Sequence, residues 1–400
     1  MSKKIIHFGV VGLGNIASTH AHAINGHDSA MVSAACSRSE GNRKKFGKEF
    51  ESVLYSDYSE MLTHDKLDAV TICTPSGTHL NYALKAAEAG KHVVIEKPIE
   101  ITVERGKEII ECCRQNGVKL AVIYQNRYSE GVIQMRSALN AGSIGTPVMA
   151  RASVKWYRDQ QYYKQSSWRG TLKLDGGGAV INQAIHTLDL LIWMMGDVES
   201  VSAFKATLTH PGIEAEDNAV AILKFKSGTL AQFEASTSIV PAQPRRIEIN
   251  GTHGTLILED DRFIRVEDVS KQNLQSEGSV GGVGSDESGE GIASGGSNVS
   301  GSSKSSEGND ASEQKLQRDG NEGSGEIGEN STNGAGAADP MAGLGILNHS
   351  RQYESIIEAI LNNKSPEVSG AESLKSLAVV EAIYQSADSV RVVLMSDILK

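Results

Sequence analysis

Cysteine is scarce in this chain, long apolar runs are missing, and its folded part carries no excess of positive charge. Each absence excludes something. The four cysteines are Cys36, Cys73, Cys112 and Cys113. None forms a C-x-x-C pair and no spacing suits a metal quartet, so no metal ligand set is assigned. Three lie in apolar or helix-like stretches, where buried reduced thiols are the expectation. No apolar run reaches the length of a membrane span. The opening MSKKIIHFGVVG is too short and too glycine-rich for a secretory leader, so a cytoplasmic location is expected.

The charge argument turns on residues 271–340. This stretch of Gly, Ser, Glu and Asn has no aromatic residue and few apolar ones, so it cannot bury enough surface to offset its ordering entropy. A disordered insert is expected there, most simply a solvated loop extension. It holds twelve acids and four bases, which places −8 of the formal −10 inside it. The remainder is nearly neutral and lacks the clustered Lys and Arg of a nucleic-acid footprint. Its 39% hydrophobic and 22% charged composition suits a soluble globular protein.

The first 125 residues alternate apolar runs (Ile5–Val11, Ala30–Cys36, Ala69–Cys73, His92–Ile95, Lys119–Tyr124) with helical segments at 15–26, 78–90 and 102–116. That rhythm predicts a doubly wound parallel sheet covered on both faces by helices. Its first strand runs into Gly12-Leu13-Gly14-Asn15-Ile16-Ala17, a G-x-G-x-x-A turn. Gly12 permits the tight turn, Gly14 lets backbone approach a pyrophosphate, and Ala17 lets the helix pack closely. The phosphates would face free N–H groups at the helix start, including Asn15 and Ile16. NAD or NADP is the cofactor expected. Ser37 and Arg38, where an NAD site usually carries an acid, suit a 2′-phosphate and lean the reading toward NADP.

Ligands of open parallel sheets sit outside the carboxyl ends of the strands. Here those ends read Gly12-Leu13-Gly14, Ser37-Arg38, Thr74-Pro75-Ser76, Glu96-Lys97-Pro98 and Gln125-Asn126-Arg127. Lys97 is therefore expected at the cofactor edge, with Pro98 fixing the local backbone. Gln125 and Arg127 sit where cofactor or substrate would lie, and Arg127 could face an anionic substrate group.

From about residue 146 the rhythm becomes strand-rich. Pro147–Tyr157, Val198–Leu208, Asn218–Phe225, Thr229–Ser236, Arg245–Ile249 and Thr255–Asp260 predict a large, open, mostly antiparallel sheet, and helices are expected at 350–363 and 371–389. The resulting organisation is a cofactor domain over 1–125, a substrate and oligomerisation domain over 126–270 and 341–400, and the insert between. One apolar helix, Gly178–Met195, places Asn182, His186 and Asp189 at i, i+4 and i+7 on one face. Such a stripe is costly unless paired, and the lead-in Asp175-Gly176-Gly177-Gly178 leaves room for a ligand. Asp175, Asn182 and His186 are thus candidates for the substrate side.

Taken together, these residues resemble the glucose-fructose oxidoreductase / inositol dehydrogenase (Gfo/Idh/MocA) family, from about residue 5 to 267 and again from near 338. The motifs are G-x-G-x-x-A, Thr74-Pro75 with His79, Glu96-Lys97-Pro98, and a glycine run followed by His186-x-x-Asp189. Tyr162-Tyr163, Trp168-Arg169-Gly170 and Asn182-Gln183 look like the subgroup of bacterial UDP-N-acetylglucosaminuronate 3-dehydrogenases. The resemblance implies an α/β Rossmann domain with a second α+β domain, homo-oligomers (dimer or tetramer) built through the large sheet, and a sugar-type substrate. It also implies that Lys97 and His186 flank the reacting hydroxyl and that Trp168, Arg169, Thr74, Pro75, His79 and Glu96 attend the cofactor. Many members carry Asp four residues before the His, where this chain has Asn182. The expected activity interconverts a secondary hydroxyl and a ketone on a sugar, sugar acid, nucleotide-sugar or inositol. A cofactor-binding sugar sensor and an NAD-assisted glycosidase are the competing readings.

Overall fold

The computed structural model describes residues 4–267 and 345–400. The insert expected at 271–340 lies outside the described residues, so its predicted disorder has no counterpart here. The chain builds two sheets. In the first, β1 (Ile6–Val11), β2 (Ala30–Cys36), β3 (Val53–Tyr55), β4 (Ala69–Ile72), β5 (His92–Ile95) and β6 (Leu120–Val122) are all parallel, in the order β3-β2-β1-β4-β5-β6. This is the doubly wound arrangement, with its topological switch beside β1. Helices α1 (Ala17–Asn25), α2 (Glu40–Glu49), α3 (Tyr58–Leu62), α4 (His79–Glu88) and α5 (Val103–Gln115) connect the strands.

Periodicity missed α2 and β3 for physical reasons. The helix reads EGNRKKFGKE, with Phe46 its one buried residue; Ser39 starts it by accepting the Asn42 N–H. The strand has three residues, two of them exposed. Neither offers an apolar pattern to read.

After α6 (Glu130–Asn140) come β7 (Pro147–Lys155) and the short α7 (Gln160–Lys164). A π-helical turn, Ala179–Ala184, then runs directly into α8 (Ile185–Met195). Strands β8 (Val198–Ala206), β9 (Asn218–Phe225), β10 (Leu230–Ser236), β11 (Arg246–Gly251), β12 (Gly254–Glu259), β13 (Arg262–Glu267) and β14 (Val393–Leu394) join β7 in the second sheet. Its order is β13-β12-β11-β7-β10-β9-β8-β14, antiparallel throughout except for the β7–β10 pair. Alternation along β9 is strict: Ala219, Ala221, Leu223 and Phe225 are buried, whereas Val220, Ile222 and Lys224 face outward.

Two late helices tie the sheets together. Helix α9 (Gly345–Leu361) lays Tyr353, Ile356, Ile357 and Ile360 into the core that holds Phe8, Val10 and Val94 of the first sheet. Part of the segment after the insert thus packs against the first sheet. Helix α10 (Gly370–Ser389) instead joins the core that runs from Val93 and Ile109 to Val201 and Phe233. No helix among the described residues is long and apolar enough to cross a membrane.

Candidate active site

The strand ends of the first sheet line a cleft of about 1470 Å³ whose opposite wall comes from the second half of the chain. Gly12, Gly14, Asn15 and Ile16 form its floor. Gly12 holds φ +90°, and a Cβ there would meet the Cys73 carbonyl at 2.7 Å. A Cβ on Gly14 would meet nothing within 4 Å, so this backbone faces open space. No side chain caps the start of α1, which leaves its first N–H groups toward the cleft. A cradle of open backbone under an uncapped helix fits a pyrophosphate.

Ser37 and Arg38 line the same cleft at the end of β2, and Arg43 Nη1 donates to the Ser37 carbonyl at 2.5 Å. Thr74, Pro75, Gln125, Trp168 and Arg169 line it as well. Three sequence candidates stand elsewhere. His79 is buried, with its ring nitrogens 2.9 Å from the carbonyls of Thr74 and Pro98. It braces two loops that border the cleft and does not itself line it. Arg127 is 4% exposed and grips Asp189 with two bonds of 2.7 Å, with Glu372 at 3.3 Å. Its guanidinium is used inside the core and is not part of the cleft lining. Asp175 is also buried, one layer behind the cleft wall.

Asp189 departs from the expected stripe for the same reason. Its carboxylate accepts from Arg127 and from Ser376 on α10. Asn182 and His186 line the cleft, whereas Asp189, three residues further along the regular α8, lies beyond its edge and is taken up by the core. A lone Asp in an apolar helix signals a buried cation partner, and that signal was present in the sequence.

Glu96 and Lys97 end β5, and the Lys97–Pro98 peptide is cis. Glu96 Oε2 accepts the Lys97 N–H at 3.0 Å, and Oε1 lies 2.8 Å from His20 Nε2 and 3.8 Å from His349 Nε2. Burial acts to raise the Glu96 carboxyl, but the His20 hydrogen bond and the nearby His349 ring win and hold it well below the usual range. Burial keeps His20 neutral by lowering its value. A neutral His20 that donates Nε2–H to Glu96 accepts at Nδ1 from the Tyr353 hydroxyl, 3.0 Å away. Thr71 then donates to Tyr353 at 3.0 Å. From Thr71 through Tyr353 and His20 to Glu96 the donors and acceptors are thus paired in sequence.

Lys97 crosses the cleft. Its Nζ donates to the main-chain carbonyl of Asn182 at 2.7 Å. His186 lines the cleft one helical turn further on, edge to face with Tyr124 at 5.7 Å. Burial, reinforced by the Lys97 charge, holds its imidazole well below its ordinary value, hence neutral. Its Nδ1 is buried and has no hydrogen-bond partner among the described residues. An ammonium, a neutral imidazole with an unpartnered ring nitrogen and a carboxamide thus meet above a nucleotide cradle. That set can exchange a proton with a hydroxyl held beside a bound dinucleotide.

A glycine-rich approach fixes this wall. Gly178 lies so close to the segment ahead of β9 that a Cβ would meet the Glu216 carbonyl oxygen at 1.8 Å. The Glu216 side chain accepts N–H from Gly178 and Val180 at 3.0 and 2.8 Å, and the Tyr384 hydroxyl at 3.1 Å. Burial nevertheless pushes its carboxyl up to about 7. Sequence reading missed Glu216 because its partners Gly178, Val180 and Tyr384 lie far away along the chain.

Comparison with known proteins agrees with this architecture. Residues 6–124 match the family model of an oxidoreductase family with an NAD-binding Rossmann fold, and residues 132–257 match the GFO/IDH/MocA C-terminal domain. The uncharacterised oxidoreductase YrbE of Bacillus subtilis is 30% identical over 67% of this chain and 77% of its own length. The chain belongs to the GFO/IDH/MocA oxidoreductase family. The myo-inositol 2-dehydrogenase of Thermotoga maritima is 29% identical over 64% of this chain and 75% of its own. Among solved structures, the WlbA dehydrogenase of Bordetella pertussis, in complex with NADH and UDP-GlcNAcA, is 29% identical with a TM-score of 0.75. That match covers 98% of this chain and 99% of the other. As a member of the family the protein is an oxidoreductase, and its first domain is of the NAD-binding kind.

Proposed function

We propose that the protein is an NAD(P)-dependent dehydrogenase that interconverts a secondary hydroxyl and a ketone on a sugar, sugar acid, nucleotide-sugar or inositol, with Lys97 as base and His186 as its partner. The observation that carries this reading is the meeting of Lys97, from the end of β5, with Asn182 and His186, from the far half, in the cleft that begins at Gly12. The nicotinamide cofactor, when bound, supplies hydride transfer. Lys97 would take the hydroxyl proton at Nζ. An ordinary lysine titrates near ~10.4, so partial burial and a neighbouring positive ring must lower it. Neutral His186 would accept a hydrogen bond from the same hydroxyl and hold its orientation. Asn182 would present its carboxamide to an adjacent hydroxyl.

Relatives that act on inositol and a structure holding UDP-GlcNAcA support the substrate class. Ser37 and Arg38 support a lean toward NADP. The outward residues Phe204, Val220, Ile222, Leu230 and Met149, neighbours in the β8-β9-β10-β7 register, support a homo-oligomer built through that sheet face. The deciding experiment is a panel of free sugars, inositols and UDP-sugars with NAD and NADP, read at the reduced-nicotinamide absorbance. Turnover of one class supports the reading. Tight cofactor binding without any turnover would replace it with a sensor, and glycoside cleavage without net reduction would replace it with a glycosidase.

A further inference from the structure

We propose that Asp175, one layer behind the cleft, is a positioning residue: it locks Asn182 in place and sets a negative charge behind Lys97. Asp175 does not reach the cleft. Asn182 Nδ2 donates to its Oδ1 at 2.5 Å, and the Gly170 N–H donates to its Oδ2 at 2.9 Å. The other end of the Asn182 carboxamide accepts from Gln183 Nε2 at 2.7 Å. A carboxylate can only accept, so these two contacts fix which way the amide points. Gln183 is held in turn by the Tyr162 hydroxyl at 2.8 Å and by Arg158 Nε at 3.1 Å. Residue 182 is thereby pinned through its side chain, and its main-chain carbonyl stays directed at Lys97 Nζ.

The charge matters as much as the geometry. Lys97 and Arg169 both act on the Asp175 carboxyl by Coulomb attraction, and the Lys97 effect is reciprocal: an ionised Asp175 favours the protonated lysine. Burial raises Asp175 to about 6, against the pull of its hydrogen bonds and these two cations. The other charged and titratable groups facing this pair are Glu96, His186 and Tyr162, with Arg245 and His349 acting on His186. Asp175 is thus ionised above about pH 6 and there opposes deprotonation of Lys97. The base works against a brake that sits outside the substrate's reach.

The test reads Lys97 directly and does not depend on turnover. Acylation of Lys97 by acetic anhydride is followed by peptide mass spectrometry as a function of pH, in wild type and Asp175→Asn, without substrate. Removing the charge is expected to lower the midpoint of Lys97 reactivity by roughly one pH unit, the low end for an opposite charge nearby. The acidic limb of kcat/KM for oxidation should move by the same amount. An unchanged or raised midpoint in a folded variant, with fold checked by thermal unfolding and NAD(P)H fluorescence, overturns the proposal. If Asp175→Asn does not fold, Asp175→Ser, which is smaller and still offers Gly170 an acceptor, takes its place. If neither folds, Asp175 is a fold residue and the proposal fails. The inference rests on Lys97 as base only for its kinetic consequence. Full activity in Lys97→Ala would remove that consequence while leaving the acylation result to stand or fall alone.

Discussion

Lys97 and Asn182 are 85 positions apart in sequence, yet the ammonium of one donates to the carbonyl of the other at 2.7 Å. The contact joins the end of a parallel strand to the π-helical turn ahead of α8, so each half of the chain supplies what the other lacks. The parallel sheet offers the nucleotide cradle and the lysine. The mixed sheet offers the imidazole and the carboxamide.

Removal of Lys97 should stop chemistry without emptying the cradle. Lys97→Ala is expected to lose at least ~100-fold in turnover, the low end for a positioned acid–base group. Its affinity for NAD(P)H, measured by fluorescence titration, should stay close to wild type, because Gly12 to Ile16 are untouched. Wild-type turnover would end the base assignment.

Arg38 gives a separate handle on cofactor choice. A guanidinium on a 2′-phosphate makes a charge-assisted bond worth ~1.5–3 kcal/mol. Arg38→Ala should therefore lower kcat/KM for NADP by about tenfold or more and leave NAD nearly unchanged. Equal losses with both cofactors would show that Arg38 does not read the phosphate.

Arg127 is expected to fail as a fold residue and not as a substrate ligand. Arg127→Met strands the Asp189 carboxylate in the core, at a cost of about 3–5 kcal/mol. Urea unfolding should show that loss. The KM of the folded fraction should hold, whereas a large KM change at full stability would return Arg127 to the site.

Glu216 predicts a pH signature. Its carboxyl is raised from 4.5 to about 7 in the fold. A raised carboxyl contributes stability below its unfolded value and loses it as pH climbs through the folded one. Buried neutral His20, His79 and His186 push the opposite way over the same range, since their values are lowered. The difference between proteins isolates Glu216. Relative to Glu216→Gln, wild type should lose up to about 1.4 kcal/mol per pH unit between pH 5 and 7. Parallel stability curves would contradict the raised value.

The outer face of the second sheet has its own test. Ile222→Glu puts a charge among Phe204, Val220 and Leu230 without disturbing the buried side of β9. Sedimentation velocity should show dissociation of the wild-type assembly. An unchanged assembly would place the contact on another surface.

The nucleotide half was legible because its signals are local. A glycine turn between strand and helix, and a lysine ahead of a proline at a strand end, can be read within a few residues. The second half was legible in outline, from alternation along strands such as β9. The pairings were not. Arg127 looked like a cleft residue because it follows β6, and only the packing of α8 and α10 around it brings Asp189 and Glu372 to its guanidinium. Asn182, His186 and Asp189 looked like one functional stripe, but the cleft ends at His186, and Asp189 further along α8 meets the Arg127 guanidinium in the core. Asp175 was marked for the right neighbourhood and the wrong layer, since a glycine run shows that something comes close but not from which side.

Helix α9 has a practical corollary. It sets Tyr353 against Phe8 at 5.8 Å and seats Ile356 and Ile357 beside the first sheet. An excised fragment of residues 6–124, the stretch that matches the Rossmann profile, would leave that apolar flank bare to water and leave His20 without Tyr353. The smallest piece able to hold a dinucleotide unaided must borrow from the opposite end of the polypeptide.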